Sequence, residues 1–576
     1  MARIVWKNSL TGQKAQFVAD TLNDSLFNYG FDSNKVPSLN LHFFCMDYLS
    51  TYKFVEDGMM QEGNMQPLNE EFEHIVNQSP WLPAHISSHI MLFRNKQGYY
   101  TDVQSEKNME VKTKSAYYKE SANYIIAVLN SDDNYLRQLL HKIRAILDSK
   151  SFSITEKSEL YFCVREFCGE LINLGYSKEH LYNRVCKDLF SKKTSNDDNK
   201  LVMGFLESLI AKREEYSVIL GISDDVYAEF KDIVNNVRKA SEEEKNKLAV
   251  NYVIETSQKS LDPVLALRQS KKSIGLLVNI YNACIHNDNM KVACDGLVRK
   301  SGVTQWSFIN DSMNLLTKTQ NKTKKERLHW TQTAIKRKSD TAILNALSLH
   351  NNALKTEEPQ TQLLTLWTIF EVLIDSKQNF MSRSNHITNS LCSILCNSYF
   401  SHVIEALYRQ ISLSKAVKSS ILTEPRGGNP IEKLAFVLKD NRELQNTILA
   451  ALIDYPLEAY KFEHYITIFS SKENMFLDLN RHSNRLRWQI MRIYRNRCMI
   501  VHNGQNMPYI KSVLENLHYY IDEVLNYVFS KIDIGIDNLE AIFSHARIKE
   551  SSNIKLLEDK KKTITDDEYH SIIFDY

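Results

Sequence analysis

The sequence lacks any cysteine framework. Its nine cysteines are scattered through 576 residues, with Cys392 and Cys396 four apart and Cys163 and Cys168 five apart. No CxxC pair is followed by a second one, which argues against a zinc site, and an odd, unpatterned count points to reduced thiols. Charge of one sign is also missing. Lys and Arg number 71 against 69 for Asp and Glu, a formal net charge of +2, so a globally basic nucleic-acid binder is excluded and any RNA contact must come from local patches. Long apolar runs are absent as well. The stretch Ile274 to Ile280 is too short to span a bilayer, and Met1 to Lys7 carries no apolar signal region. A cytoplasmic protein without membrane contact is therefore expected. The sequence also lacks a Walker A loop, GxGxxG after a strand, GxSxG and HExxH. Asp132-Asp133 and Asp197-Asp198 read as helix caps in polar loops rather than metal ligands. Neither cofactor nor metal is expected.

What is present is ordinary for a folded chain: 43% apolar, 24% charged and 10% aromatic residues, far from the disordered range. The length suggests roughly two to four domains. Pro37, Pro67, Pro80 and Pro83 crowd the first 83 residues, and the next proline is Pro263. β-prone runs lie among them, Leu41 to Met46 and Ser88 to Phe93, the second leading through Arg94 to Gly98 into Tyr99-Tyr100 as a hairpin. Residues 1–112 are accordingly expected to form a small α+β module.

Helical periodicity takes over from about residue 115. Leu136, Leu139, Leu140, Ile143, Ile146 and Leu147 follow helical spacing, with Ser131 to Asp133 as capping candidates. Residues 113–335 are expected to form a helical central, regulatory region. Near its end lies a basic segment with Lys318, Lys322, Lys324, Lys325, Arg327, Lys336, Arg337 and Lys338 around His329 and Trp330. It reads as a solvated linker or helix face, or as a weak RNA-backbone patch in which Lys324, Lys325 and Arg327 meet phosphate and Trp330 stacks on a base. Residues 336–545 look like one helical domain. Within it Asn429, Pro430 and Glu432 form a capping-box-like start, and Leu514, Leu517, Ile521, Val524, Leu525 and Val528 mark a final amphipathic helix. Residues 546–576 read as a charged, mobile tail. The fold class expected is mainly α and multidomain.

One segment stands out. Arg481, Arg485, Arg487, Arg492, Arg495 and Arg497 share a single expected helix with His502, whose core stripe is Leu486, Ile490, Ile493, Ile500 and Val501. At about 100° per residue Arg497 projects into that stripe, where a guanidinium is costly unless paired or lining a cavity. Arg495 and His502, two turns apart, share the opposite face with Met491 and Cys498, and Trp488 lies on the same side. Histidine moves protons near neutral pH, and a guanidinium stabilises charge developing on a phosphate. The bland alternative for Arg497 and His502 is a buried polar pair holding helices together.

The segment Tyr494-Arg495-Asn496-Arg497-Cys498-Met499-Ile500-Val501-His502-Asn503-Gly504 resembles the Arg-x4–6-His motif of the HEPN superfamily, satisfied by Arg497 with His502 and by Arg495 with His502. Ala346 to Leu354 and Leu363 to Leu373, with Trp367 and Glu371, resemble the first helices of that domain, so the resemblance covers residues 336–545. It departs where many members carry Asn after the motif Arg. That position is Cys498 here, and Asn496 precedes Arg497 instead, so Asn496 either substitutes for it or the functional cation shifts to Arg495. The resemblance implies a metal-independent endoribonuclease that uses 2′-hydroxyl attack, leaves 2′,3′-cyclic phosphate and 5′-hydroxyl ends, and works as a homodimer. Arg497, His502, Arg495 and Asn496 would be catalytic; Glu371, Tyr494 and Cys498 would support them, Glu371 orienting Arg497 or His502 or else serving only as a helix-surface carboxylate. By family analogy the context is anti-phage abortive infection, with RNA, such as transfer RNA, as substrate and a phage-derived trigger. The alternative is a non-catalytic HEPN protein that binds RNA or a partner. A weaker echo, Ile280 to Asn287 with Tyr281 in the Arg position, would make the central helices a degenerate copy if it is more than chance.

Overall fold

Helical periodicity dominates the chain, and the computed structural model is mainly α. It describes residues 10–27, 39–78, 106–130, 135–190, 197–210, 213–285, 290, 292–310, 332, 341–356, 358–374, 382–504, 507, 509–536, 538–559 and 564–575. The run 88–100, the acidic pair Asp132-Asp133, His286-Asn287 and the basic residues Lys324, Lys325 and Arg327 with Trp330 lie outside the described residues. The chain divides into two units, one comprising 1–170, 194–199 and 315–576, the other 171–193 and 200–314.

The first unit opens with α1 (Gln13–Leu26), α2 (Leu41–Glu56), α3 (Met65–Gln78), α4 (Glu106–Leu129), α5 (Tyr135–Asp148) and α6 (Ile154–Asn173). The run Leu41 to Met46, expected as a strand, is the start of α2. Asn40 caps it by accepting the Phe43 amide at 3.2 Å, and a cap at the head of an apolar run outweighs the β preference of Phe43 and Phe44. All the described elements between residues 10 and 78 are helical, so the expected α+β character is not found there. The spacing read for 136–147 holds, since all six apolar positions are buried along α5. Asp198 does not cap its own helix: its carboxylate takes the amides of Thr11 and Gly12, at 2.7 and 2.9 Å, at the head of α1.

The second unit corrects the expectation of an all-helical central region. It contains α7 (Lys178–Val185), α8 (Asp198–Ser208, which begins in the first unit), β1 (Glu214–Ile222), α9 (Asp224–Phe230), β2 (Val237–Lys239), α10 (Glu242–Leu248), β3 (Tyr252–Ser260), α11 (Pro263–Ile285), β4 (Val292–Lys300) and β5 (Ser307–Asn310). The strands make one antiparallel sheet in the order β2-β3-β1-β4-β5, with Glu214 opposite Ser260 and Ile222 opposite Tyr252. Side chains alternate across it. Val218, Leu220 and Ile222 pack against Ala266, Leu267, Ile274 and Val278 of α11, whereas Ile219, Val253 and Leu297 face Ala240, Leu248 and Trp306. Burying each large aliphatic contributes about 1.5–3 kcal/mol. Gly296 in β4 lets α11 approach, since a Cβ there would strike Leu267. The helix carrying Tyr281 thus lies on a sheet, not in a helical bundle.

The remainder of the first unit is helical: α12 (Thr341–Lys355), α13 (Pro359–Leu373), α14 (Arg383–Asn397), α15 (Tyr399–Ile411), α16 (Lys415–Leu422), α17 (Pro430–Asp440), α18 (Arg442–Ala451), α19 (Pro456–Phe469), α20 (Lys472–Asn503), α21 (Ile510–Asp533), α22 (Leu539–Glu558) and α23 (Asp566–Phe574). The helix α13 packs on α12, α20 and α21, while α14 touches α20, α21 and α22. Asn429 caps α17 as expected, accepting the amides of Ile431 and Glu432 at 3.0 and 3.1 Å. The supposed mobile tail is instead packed. Tyr569 of α23 is fully buried and donates to the Ala435 carbonyl at 2.8 Å. Its charges read as a tail because they form one face of two amphipathic helices.

Candidate functional site

The motif lies at the end of α20. Ser471 caps this helix by accepting the Asn474 amide at 3.2 Å, and Gly504 ends it with φ 61°, its amide donating to the Ile500 carbonyl at 2.9 Å. Glycine adopts that left-handed cap without a Cβ penalty. The helix therefore delivers His502 to its last turn, where the free carbonyls carry partial negative charge.

Leu486, Ile490 and Ile493 form the inner stripe as read from the sequence, but its expected continuation is not buried: Ile500 is half-buried and Val501 is 51% exposed. The opposite face is not open, however, and here the structure overturns the expected placement of the arginines. Helices α2 and α3 cover that face and present two carboxylates to it. Arg492 donates from Nε to Asp47 Oδ2 at 3.2 Å, from Nη2 to Glu71 Oε2 at 2.5 Å and from Nη1 to Gln489 Oε1 at 2.7 Å. Arg495, 0% exposed, reaches the same Asp47 Oδ2 from Nη2 at 3.4 Å. The Tyr509 hydroxyl donates to the other oxygen of Asp47. Burial opposes the Arg492 charge, but Glu71 and Asp47 overcome that and raise its pKa above the usual guanidinium value. Arg495 is held below it, by burial first and by the charge of Arg492, with Asp47 only partly compensating. Its Nε and Nη1 have no hydrogen-bond partner. Two arginines thus share two carboxylates in a region closed to solvent.

Arg497, which the helical wheel placed in the core, is half-buried, and His502 is exposed. Among the described residues neither makes a hydrogen bond or an ion pair. Five residues separate them, about 7.5 Å of rise. Asn496 is buried, its Nδ2 turned back onto the Arg492 carbonyl at 2.8 Å. Tyr494 leans its ring on Trp367 with centroids 5.5 Å apart. Burial raises its pKa, as do the neighbouring Cys498 thiol and its hydrogen bond, while Arg497 and Ser384 pull the other way. Cys498 is buried. Glu371 orients neither candidate: its carboxylate accepts the Trp367 indole N–H at 3.0 Å, and its carbonyl accepts from Arg383 at 3.0 Å.

Sequence reasoning missed Asp47, Glu71, Gln489 and Tyr509. The available signal was general: buried arginines need acidic partners. Nothing local chooses two out of 69 acidic residues when the partners lie more than 400 positions upstream. Among the described residues no group of three His, Cys, Asp or Glu side chains is placed to hold a metal, and no helix is long and apolar enough to cross a membrane. Compared with family models, curated proteins and solved structures, the chain matches none of them.

Proposed function

We propose that the chain is a HEPN-type, metal-independent endoribonuclease whose working pair is Arg497 and His502. The observation that carries this reading is the division of labour among the arginines. Arg492 and Arg495 are committed to Asp47 and Glu71 in the interior, which leaves Arg497 as the motif cation with solvent access, five positions before an exposed His502. His502 takes the proton of a ribose 2′-hydroxyl, whose oxygen attacks the adjacent phosphorus. Arg497 stabilises the charge that develops on the phosphate oxygens. The 5′-oxygen leaves and takes up a proton, supplied by the His502 of a second copy in a homodimer. The products are a 2′,3′-cyclic phosphate and a 5′-hydroxyl. On the family analogy the setting is abortive infection, with a phage-derived trigger and an RNA substrate such as transfer RNA.

Total RNA from cells expressing the wild type and His502→Ala tests this directly. Wild-type expression under activating conditions is expected to leave RNA fragments with cyclic phosphate ends, and the variant intact RNA. Identical intact RNA and equal growth in both would sink the reading. The second reading is a non-catalytic HEPN protein that binds RNA or a partner, favoured by the use of the motif arginine Arg495 for packing. It predicts that Arg497→Ala changes binding but releases no cleavage products at any stage.

A further inference from the structure

The same long helix carries a second cationic cluster at its other end, sixteen residues and about 24 Å of helix away from Arg497. Arg481 and Arg485 lie one turn apart on α20. Arg481 is exposed and reaches Asp478 only at 3.9 Å, and Asp478 also accepts the Tyr399 hydroxyl at 2.8 Å. Arg485 is half-buried, and among the described residues it makes no hydrogen bond or ion pair. From α6 comes Arg165, its guanidinium 5.4 Å over the Tyr161 ring. From α3 comes His74, whose buried Nε2 has no partner. The charges of Arg165 and Arg481 bear on Arg485, and those of Arg485 and Arg481 bear on His74. Burial first, and then these cations, push the His74 pKa down to about 4. Among the described residues the acids in reach are Asp478, Glu70, which accepts from Trp488 Nε1 at 3.5 Å, and Glu166, whose own carboxyl burial lifts to about 7.

A half-buried guanidinium has five donors to satisfy, and placing it among like charges adds repulsion to desolvation. Such an arrangement calls for a counter-anion. We infer that Arg481, Arg485 and His74 form an anion site for a phosphate group, with Arg165 adding its charge to the field there. The forked donors of the arginines match phosphate oxygens, and a neutral His74 donates from Nε2 once that nitrogen carries its proton. The aromatic rings named beside the cluster are already engaged, Trp488 with His74 at 5.1 Å, Tyr399 stacked on His482 at 3.8 Å and Tyr161 with Tyr460 at 5.8 Å. Recognition is therefore of the phosphate, not of a base. The phosphate belongs either to an RNA backbone or to a free phosphate or nucleotide. The inference stands apart from the ribonuclease reading, because it concerns binding at residues distant from His502.

The test uses the full chain carrying His502→Ala, so that no probe is cut, with three probes: inorganic phosphate, ATP and a labelled 12-nucleotide single-stranded RNA. Affinity is followed by titration and melting temperature across salt concentrations. Arg481→Gln/Arg485→Gln is expected to weaken binding at least about tenfold and to lower the salt slope for RNA by about 1.4, at roughly 0.7 per phosphate contact on a single strand. Arg485→Lys keeps most of the binding. Binding of RNA alone assigns the site to the backbone, whereas phosphate or ATP binding assigns it to the free anion. If the double variant does not fold, the exposed Arg481→Gln alone must still weaken binding at least about threefold. A parent that binds none of the probes, or variants that bind all of them as tightly as the parent, overturns the site. Failure of the ribonuclease reading is a separate result: retained binding with RNA left intact by the wild-type chain.

Discussion

At the residue scale, Asp47 bridges two guanidiniums and accepts from a phenol, all in the interior. Removing one member of a buried ionic group leaves uncompensated charge, which costs about 3–5 kcal/mol. Asp47→Ala is expected to lower the unfolding free energy measured in urea by that amount; a change under about 1 kcal/mol would show that the arginines find other partners. Arg495→Ala is expected to lose stability in the same melts. Arg497→Ala, freed of such duties, is expected to keep its melting behaviour and lose RNA cleavage by about 100-fold or more. The reverse assignment would return the motif role to Arg495. His518 offers a pH prediction. It is 2% exposed with no partner for either ring nitrogen, and burial, aided by His350, pushes its pKa down from 6.5 to about 3. Between those values the unfolded chain binds the extra proton, so this contribution to stability is complete above pH 6.5 and fades as pH falls towards 3. Glu166, raised to about 7, acts in the opposite sense between its ordinary 4.5 and 7. The measurement is therefore the difference in urea stability between wild type and His518→Phe, and the variant's stability should fall less from pH 7 to 4. Parallel curves would show that His518 does not carry the effect. The exposure of His502 follows from its place in the last turn before a capping glycine. The burial of Arg495 could not be foreseen, because a helical wheel says which residues share a face but not what covers it.

At the scale of elements, α5, α20, α21 and the cap of α17 follow from periodicity and from Asn-Pro chemistry, since each buries one stripe and exposes another. The sheet of the second unit escaped for a physical reason. In β1 the run Val218-Ile219-Leu220 is buried on both faces, so it shows no alternation, and a continuous apolar run reads equally well as a buried helix. Leu41 to Met46 failed the opposite way, its aromatics suggesting a strand that the Asn40 cap overrides. Gly296 marks where strand and helix meet. Gly296→Ala places a methyl group against the fully buried Leu267 and the Ile219 carbonyl, and overpacking of this kind costs about 1–3 kcal/mol. The expected result in calorimetry is a transition that moves down for the second unit while the first keeps its midpoint. A single transition shifted as a whole would mean that the two units unfold together.

At the scale of the molecule, the chain leaves its helical first unit near residue 170, builds the sheet-containing unit and returns near 315, an excursion that a charge-balanced, evenly apolar sequence does not announce. The ribonuclease proposal adds a dimer whose site draws a histidine from each copy. Mixing wild type with excess His502→Ala should then reduce activity per wild-type chain, as mixed pairs replace homodimers. Activity that stays proportional to wild-type chains at every ratio would rule out the shared site.

The ionic group around Asp47 also has a history in time. Asp47 and Glu71 leave the ribosome 445 and 421 residues ahead of Arg492, roughly 20–90 s earlier at about 5–20 residues per second. Through that interval α2 and α3 carry two carboxylates whose burial without partners is costly, so these helices are expected to associate only loosely until α20 has emerged. A chain interrupted before Arg492 leaves Asp47 and Glu71 without these partners and is expected to be cut faster than the full chain in limited proteolysis. Closing the interior around Asp47 thus waits on α20 and on Tyr509 beyond it, the last of its partners to be made.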